Sequence, residues 1–307
     1  MLYNNVMSSL FNYIKENLKW FILSVLFVVS LLLWSVAIRE NRHGILTVAF
    51  LNVGQGNATY IESPIGTKVL IDGGPNKTLM REISSVVPFY ERHIDLLVVT
   101  NPDRDHYEGF FPLLDKYSVD AFVESGIKGV TGEYELLKKK ISNKQIPDIL
   151  ARRGQIIDIG GGAYIEILFP DRDVSGLSTN DGSIVERLVY GNTSLILQGD
   201  SPQSVERYLI SLDKLGLKSD VIELGHHGSY TSSSEEYLKA VSPEYAVISS
   251  AQNSEYGHPH KETLATLSTL KVPSLATCTM GKIVFNSDGK QFTLQNKKIV
   301  PVTPGCK

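Results

Sequence analysis

Hydrophobic residues follow one pattern in the first forty positions and another in the rest of the chain. Residues 20–38 (WFILSVLFVVSLLLWSVAI) form a stretch of 19 residues without a charge, between Lys19 and Arg39. A helix of this length spans roughly 28 Å, which matches the hydrocarbon core of a bilayer. A cleaved signal peptide is the alternative, but its apolar region is usually only about 7–15 residues and ends at a small-residue site. The pattern therefore predicts a transmembrane anchor at 20–38 behind an N-terminal tail at 1–19.

The flanks of this predicted anchor do not decide its orientation. Lys15 and Lys19 on one side are balanced by Arg39 and Arg42 on the other, so the positive-inside rule gives no preference. Tryptophans stand near both ends of the stretch, where aromatic side chains commonly lie at a membrane interface. The pattern thus favours a single-pass anchor and leaves open which face the rest of the chain occupies.

Beyond residue 44 the apolar residues occur in short runs that alternate with helical patterns. ILTVAFLNV, ATYIES, KVLIDGG and IDLLVVT are typical of strands, and SPQSVERYLISLDKLG is typical of an amphipathic helix. Three of the predicted strands end in acidic or histidine residues, in VVTNPDRDH, LILQGD and DVIELGHH. A mixed sheet with helices between its strands would gather these groups at one edge.

Composition adds few constraints. The chain has 307 residues, of which 42% are hydrophobic and 21% charged, with a formal net charge of -3, so binding to a polyanion requires a local patch or a metal. Bulk charge neither supports nor excludes nucleic acid. Two cysteines, Cys278 and Cys306, are too few for a disulfide framework or a thiolate zinc site. We expect a buried Cys278 and a thiol in an exposed tail.

The strand ends carry the residue types of a metal site. Asp103, Asp105 and His106 lie within four residues, and four of the seven histidines fall in the two clusters His226–His227 and His258/His260. An Asp-rich loop alone is usually a solvated turn. Together with the aspartate of LILQGD, the clusters indicate a site for zinc, manganese or iron, because oxygen and nitrogen donors suit these ions.

These motifs resemble a known family. TNPDRDHYEGF is similar to the metal loop His-x-His-x-Asp-His of the metallo-β-lactamase superfamily. In order along the chain, FLNVGQGNATYIESPIGTKVLIDGG, SLILQGD, ELGHHGSYTSSSEEYLKAVSPEYAVIS and YGHPH resemble the C-terminal hydrolase-like domain of ComEC/Rec2 competence proteins, over about residues 46–290. The resemblance implies an α+β fold, an αββα sandwich at 44–296, preceded by one transmembrane helix and followed by a tail at 297–307.

The resemblance also implies roles for single residues. Asp105 and His106 would hold a metal together with a histidine of the HHG motif, for which we favour His226, with His227 as its support. Asp200 matches the aspartate that bridges two cations in the family. Asp105 would also orient the attacking water, which a divalent ion activates by lowering its pKa to near neutrality.

The other metal position departs from the family pattern. Asn101 stands where the family has histidine, and an amide is a poor ligand for a transition metal. Asp103 takes the second histidine slot. Asp72 in LIDGG is either an acceptor below the metal loop or a plain turn residue. We therefore expect one or two ions of zinc or manganese, with the first position carboxylate-based or vacant.

The remaining candidates lie in the later loops. His258 would protonate a leaving oxygen or hold a phosphate, whereas His260 is expected to be a loop residue. Ser229 would contact a phosphate or cap the following helix, and capping is the safer explanation for the serines after it. No organic cofactor is expected.

The resemblance favours a membrane-anchored phosphodiesterase or nuclease related to competence DNA uptake, with single-stranded DNA as a candidate substrate. A single span cannot form a DNA pore, so a separate multi-span channel is the implied partner. By analogy with the competence proteins, the domain would face the extracytoplasmic side. Two alternatives stay open: hydrolysis of another ester or a lactone, and a catalytically degenerate binding domain, which the loss of histidine at Asn101 favours.

Overall fold

A computed structural model of the chain describes Tyr13, Lys15 and residues 17–40, 44–129 and 132–307. The chain divides into two compact units, Met1–His43 and Gly44–Lys307.

The N-terminal unit contains one helix, α1, from Leu18 to Glu40 in its described part. The predicted anchor at 20–38 lies within this helix, whereas most of the predicted tail at 1–19 lies outside the described residues. Within the described ranges, no helix has the length and apolar character that crossing a membrane requires. The membrane anchor therefore stays a prediction.

Two mixed sheets form the framework of the second unit. The first contains eight strands in the order β15-β14-β1-β2-β3-β4-β5-β6, and the second contains seven in the order β13-β12-β11-β10-β9-β8-β7. The strands are β1 Leu46–Phe50, β2 Thr59–Glu62, β3 Lys68–Ile71, β4 His93–Val99, β5 Ser118–Glu124, β6 Asp148–Leu150, β7 Ile156–Gly160, β8 Ala163–Phe169, β9 Val185–Tyr190, β10 Thr193–Leu197, β11 Val221–Glu223, β12 Tyr245–Ile248, β13 Ser274–Ala276, β14 Ile283–Ser287 and β15 Phe292–Leu294.

Each sheet has a parallel half and an antiparallel half. Strands β3 to β6 are parallel to one another in the first sheet, and β10 to β13 are parallel in the second. Parallel neighbours need a crossover connection, which usually contains a helix. The carboxyl ends of parallel strands meet at one edge, so β4, β10 and β11, which precede the predicted site residues, deliver those residues to adjoining sheet edges.

Helices lie in these crossovers and at the strand ends. They are α2 Thr78–Ile83, α3 Arg104–Tyr107, α4 Phe110–Leu114, α5 Gly132–Asn143, α6 Gln203–Asp213, α7 Glu235–Val241, α8 Lys261–Leu270 and α9 Thr277–Met280, with 3-10 turns at Asn180–Gly182, Leu215–Leu217, Gly225–Gly228 and Pro304–Cys306.

Three apolar clusters hold the layers together. One lies between the two sheets and includes Val48, Val98, Ile165 and Leu197. A second packs helices α2 to α5 on the outer face of the first sheet, and a third packs α6 to α8 on the outer face of the second. Burial of these apolar faces is the dominant favourable term in folding. The predicted αββα sandwich is confirmed.

The C-terminal segment differs from the prediction. Residues 297–307 were expected to form an exposed tail with a thiol, but Cys306 is buried and forms a disulfide with Cys278. The two residues are 28 apart in sequence, yet the fold brings their Cα atoms to 5.9 Å, within the range that a disulfide spans. The expectation of an exposed thiol is therefore wrong, because two cysteines suffice for a single bridge when the fold juxtaposes them.

Candidate metal centre

The candidate site begins in the loop that follows strand β4. Residues 100–103 form a tight turn before the single helical turn of α3. The backbone N–H of Asp103 donates to Oδ1 of Asn101 at 3.0 Å, a local bond that asparagine commonly makes in turns. Asp105 and His106 lie directly after this turn, and both contact residues at the ends of the second sheet, as described next.

His106 is fully buried and is fixed by Asp72, which follows β3. Nδ1 of His106 lies 2.7 Å from Oδ2 of Asp72. The same carboxylate accepts the backbone N–H and the hydroxyl of Thr100 at 2.8 and 2.6 Å. A carboxylate partner at Nδ1 selects the tautomer whose Nε2 can bind a metal, which is the usual role of such an acceptor. The position of Asp72 is the one that the resemblance implied.

Asp200 follows strand β10 and faces His106. Its Oδ2 lies 3.2 Å from Nε2 of His106. The geometry is not that of a hydrogen bond: neither this Nε2 nor Oδ1 of Asp200 has a hydrogen-bond partner among the described residues, although both atoms are buried. We call these two atoms the open pair. Burial opposes ionisation of Asp200, but the positive charges of His106 and His227 outweigh it and hold its pKa well below the ordinary value.

The two histidines of the HHG motif occupy different positions. Nε2 of His227 lies 3.1 Å from Oδ2 of Asp105 and 3.7 Å from Oδ1 of Asp200, and its Nδ1 donates to the backbone oxygen of Ser249 at 3.0 Å. His226 is only partly buried, and its Nδ1 lies 3.1 Å from the hydroxyl of Thr231. The geometry therefore favours His227 as the metal ligand, whereas the sequence led us to expect His226.

An unusual backbone conformation places the His227 ring. Both histidines have positive φ angles, 50° for His226 and 56° for His227, a region that residues with a Cβ rarely adopt. Two such residues in succession cost about 1–3 kcal/mol each and persist only where their surroundings enforce the conformation. The tight turn explains the reversal of their roles, because it aims the second ring rather than the first at Asp105.

The side chain of Asn101 is hydrogen-bonded to neighbouring protein groups. Nδ2 of the fully buried Asn101 donates to Oδ1 of Asn180 at 2.9 Å and to Oγ of Ser183 at 3.2 Å. The hydroxyl of Thr179 donates to Oδ2 of Asp103 at 2.9 Å. Burial raises the pKa of the Asp103 carboxyl above its ordinary value. Asn101 thus joins two loops, and Oδ2 of Asp103 is bonded to the second of them, although the Asp103 side chain also lines the cleft with Asp105.

A cleft of about 520 Å³ opens over the site. His258 lines it and lies with Nδ1 3.3 Å from Nε2 of Gln55. Burial and the neighbouring rings of His227 and His226 lower the pKa of His258 to about 4. The ring is therefore neutral at pH 7, a state that suits accepting or donating one hydrogen bond better than protonating a leaving group.

The other two predicted loop residues lie away from the reacting groups. The hydroxyl of Ser229 is buried and accepts hydrogen bonds from the backbone and hydroxyl of Thr231 at 3.3 and 3.0 Å. His260 precedes helix α8, and its Nδ1 accepts the backbone N–H of Tyr230 at 3.2 Å. Ser229 thus stabilises the loop that carries the histidine pair, rather than facing the cleft.

The residues present fit a divalent cation. Asp105, His106 and His227 each offer one ligand atom, and these atoms all lie within 4.8 Å of one another. The open pair adds an imidazole nitrogen and a carboxylate oxygen that are buried without a hydrogen bond, a condition that costs free energy unless another partner binds. Burial alone would raise the pKa of Asp105, but the hydrogen bond from His227 and the charge of His106 lower it. Nitrogen and carboxylate donors of this kind suit zinc, iron and manganese.

Comparison with known proteins supports this assignment. A family model of the metallo-β-lactamase superfamily matches residues 51–252, about two thirds of the chain. The chain belongs to the metallo-β-lactamase superfamily. This stretch contains the open pair and the loops of Asp105 and His227. It places the chain among metallo-β-lactamase-fold hydrolases, whose members bind divalent metal ions.

The curated relatives of this metallo-β-lactamase domain are competence proteins. The chain is 26% identical over 257 residues to ComE operon protein 3 of Bacillus subtilis, a match covering 78% of the chain and 32% of that protein. It is 31% identical over 228 residues to competence protein ComA of Neisseria gonorrhoeae, covering 73% of the chain and 29% of that protein. The predicted relationship to competence proteins is confirmed, and the chain spans roughly three tenths of the length of these relatives.

Solved structures agree with the metallo-β-lactamase fold. A variant of the CmlA β-hydroxylase superposes with a TM-score of 0.51 at 12% identity, covering 78% of the chain and 53% of that protein. YhfI of Bacillus subtilis superposes with a TM-score of 0.50 at 11% identity, covering 75% and 95%. At these identities the likeness concerns the fold alone.

The residues that connect the two ligand loops of this metallo-β-lactamase domain were not among those predicted from the sequence. Glu206 on α6 is fully buried and accepts Nε2 of Gln198 at 2.8 Å and the backbone N–H groups of Ser233 and Ser234. Oε1 of Gln198 in turn accepts the backbone N–H of Gly225 at 3.2 Å. One signal was available: Glu206 lies beside Val205 on the buried side of an amphipathic helix, where an acidic residue needs partners.

Proposed function

We propose that this domain is a metal-dependent phosphodiesterase that cleaves single-stranded DNA. The observation that carries the proposal is the open pair, because buried Nε2 of His106 and Oδ1 of Asp200 lie within a group of four metal-binding side chains. Asp105, His106, Asp200 and His227 would hold the ion, which we expect to be zinc or manganese. The competence relatives favour DNA as the substrate.

The roles of the residues follow from their contacts. A bound divalent cation acidifies water and stabilises the negative charge that develops on a phosphoryl oxygen. Asp72 holds the tautomer of His106, and the carboxylate of Asp105, already 3.1 Å from His227, orients the attacking water. His258, as a neutral ring on the cleft wall, donates one hydrogen bond to a phosphate oxygen. Glu206 fixes the separation of the Asp200 and His227 loops.

The membrane anchor and the outer location belong to the same proposal. Residues 20–38 would hold the chain in the membrane, with the domain on the extracytoplasmic side. The Cys278–Cys306 disulfide supports this side, because disulfides form and persist in oxidising compartments and are rare in the cytosol. Protease accessibility in intact cells tests it, and protection of the domain until lysis would contradict the outer location.

The experiment for the activity uses the full-length chain purified in detergent. We expect bound zinc or manganese, and manganese-dependent turnover of both bis-p-nitrophenyl phosphate and single-stranded DNA. The Asp105→Ala/His106→Ala double variant should lose metal and activity, whereas a surface variant such as Asp158→Asn should keep both. Absence of metal and of turnover in the wild-type protein would refute the proposal. Turnover of the small diester without DNA cleavage would instead favour hydrolysis of another ester.

One observation favours a second candidate, a binding domain without catalytic activity. The amide of Asn101 is used entirely in hydrogen bonds to protein groups, so the first family position offers no ligand at this residue. If two ions are needed for diester cleavage, the domain would bind nucleic acid or a membrane partner without cleaving it. Binding of DNA with bound metal and no turnover, in the experiment above, would support this candidate.

A further inference from the structure

Four aromatic rings form a continuous row, of which Tyr256 and His258 line the cleft and the other two lie beyond it. Tyr256 stacks on His258 with centroids 5.8 Å apart and an interplanar angle of 26°. His258 meets His260 edge-on at 4.8 Å, and His260 contacts Tyr230 at 4.9 Å. We call these four residues the aromatic rim.

The aromatic rim passes the candidate metal centre at His258, and both of its ends are exposed to solvent. The ring of His258 also lies 5.4 Å from that of His226 and 5.9 Å from that of His227. At the ends of the row, Tyr256 is 68% exposed and Tyr230 is 59% exposed. Single exposed aromatic residues are normal on a protein surface, but a connected row beside a cleft presents a surface for a flat ligand.

Hydrogen bonds hold the rim in place. Gln55 lies with Nε2 3.3 Å from Nδ1 of His258, and its Oε1 accepts the hydroxyl of Ser254 at 2.9 Å. The backbone N–H of His260 donates to the oxygen of Gly228 at 3.1 Å. Since these contacts exist before any ligand binds, the two histidine rings need little further ordering on binding.

The charged residues that line the cleft offer little attraction for a phosphate chain, so another interaction must contribute to binding. Among the described residues that line it, Arg104 is the one arginine or lysine, against three aspartates. That guanidinium already pairs at 3.1 Å with Glu108 and at 3.1 Å with Glu133. A phosphate chain therefore finds little positive charge beyond a metal ion. Stacking on aromatic rings does not depend on charge, and it tolerates any base because every base has a π-face.

We propose that the aromatic rim is a stacking subsite for the bases of a single-stranded nucleic acid whose phosphate lies at the Asp105–His106–His227 group. Tyr256 takes the base next to that phosphate, and Tyr230 takes a base farther along the strand. Paired bases in a duplex are already stacked on one another and cannot reach these rings, so the rim selects unpaired strands. This inference rests on the proposed function.

The test compares two ligands that differ in their bases and share their phosphates. Fluorescein-labelled oligothymidylate of about ten nucleotides and an abasic strand of the same length, both with hydrolysis-resistant phosphorothioate links, are titrated with the full-length manganese-loaded protein, and anisotropy reports binding. We expect Tyr256→Ala to weaken oligothymidylate binding about tenfold, with a smaller loss for Tyr230→Ala. Tyr256→Phe keeps the ring and should bind like the wild type.

The abasic strand decides the interpretation. We expect it to bind more weakly than oligothymidylate and to be unaffected by Tyr256→Ala. Equal weakening of both strands, or no effect of Tyr256→Ala on oligothymidylate, overturns the stacking subsite. So does equal binding of the two strands by the wild-type protein. Because the readout is binding and not cleavage, a catalytically inactive protein that still prefers oligothymidylate refutes the nuclease proposal alone, and an active one without this preference refutes the subsite alone.

Discussion

The two ends of the loop from Asn101 to His106 lie only five residues apart, yet their buried polar groups differ in hydrogen bonding. At the His106 end, Nε2 of His106 and Oδ1 of Asp200 are buried without a hydrogen bond among the described residues, and Nε2 lies 3.2 Å from the other oxygen of Asp200. At the Asn101 end, both the amide N–H groups and the amide oxygen are bonded to neighbouring protein groups. Buried polar groups are normally hydrogen-bonded, so exceptions require an explanation, whereas satisfied groups are accounted for by folding.

This contrast separates a ligand role from a structural role. A bound cation would give the open pair a partner, while Asn101 already has partners in Asn180 and Ser183. A family pattern read from sequence treats both ends of the loop as one metal motif. The structure shows ligand atoms that could hold a metal at the His106 end, and hydrogen bonds that join the Asn101 end to residues 179–183.

The largest expected effect comes from the histidine pair. His227→Ala should lower the affinity for zinc or manganese by about 100-fold or more, because it removes a ligand, while His226→Ala should lower it by less than about tenfold. The two variants form a matched pair, since both residues have positive φ and the substitutions carry a similar backbone cost. Calorimetric metal titration measures the difference.

A larger loss of metal affinity in His226→Ala than in His227→Ala would contradict this prediction. It would restore His226 as the ligand and leave His227 as its support. Equal losses would indicate that both rings bind ions, and hence a centre with two metals.

An intermediate effect is expected at the other end of the loop. Asn101→Ala removes three hydrogen bonds of a buried side chain and leaves the groups on Asn180 and Ser183 without this partner, which should lower the free energy of unfolding by about 1–3 kcal/mol. Metal content should stay unchanged. Urea unfolding of the chelated protein and metal analysis of the loaded protein give the two values. Loss of metal in a folded Asn101→Ala protein would show that this end also contributes to the centre.

The smallest expected effect is a proton released on metal binding. Burial lowers the pKa of His106, but Asp200 and Asp72 outweigh burial and raise that pKa well above 6.5. The ion pairs of the protonated ring therefore stabilise the metal-free protein fully below about pH 6.5 and are lost as pH rises through the higher folded pKa. Since a metal replaces the proton at Nε2, binding near pH 7 should release about one proton per ion.

Two measurements check this expectation. Calorimetry in buffers of different ionisation enthalpy counts the protons, and urea unfolding of the chelated protein at several values above about pH 6.5 follows the loss of stability. His106→Ala should remove both signals. Stability that is flat with pH in the wild-type chelated protein, with no proton released, would show that His106 is neutral before metal binds.

Much of the architecture could be predicted because it depends on local patterns. The alternation of short apolar runs with helical segments identified strands β4, β10 and β11, which precede Thr100, Asp200 and His226, and the parallel halves of both sheets bring these strand ends together. The acidic and histidine residues at those ends could therefore be assigned to one site before any distance was known.

The predictions that failed or changed depend on contacts between distant segments. The choice between His226 and His227 depends on two left-handed residues whose conformation is imposed by the surrounding loops, and ring orientation does not follow from composition. The disulfide depends on a Cα separation of 5.9 Å that the spacing of the cysteines does not reveal. Glu206 could be suspected from its place on α6, but its partners lie 27 and 28 residues away.

The sequence by itself determined which residue types lie together in the site. The periodicity of apolar residues defines the strands, and the residues that follow those strands lie at the same sheet edge. It therefore determined the superfamily fold and the group Asp105, His106 and Asp200. The tertiary structure alone decided which atoms remain without partners and which ring of His226–His227 turns inward. The physical reason is that the role of a ligand depends on differences of a few tenths of an ångström in interatomic distance and on whether each buried polar group has a partner. Both are set by packing between segments that are far apart in the chain.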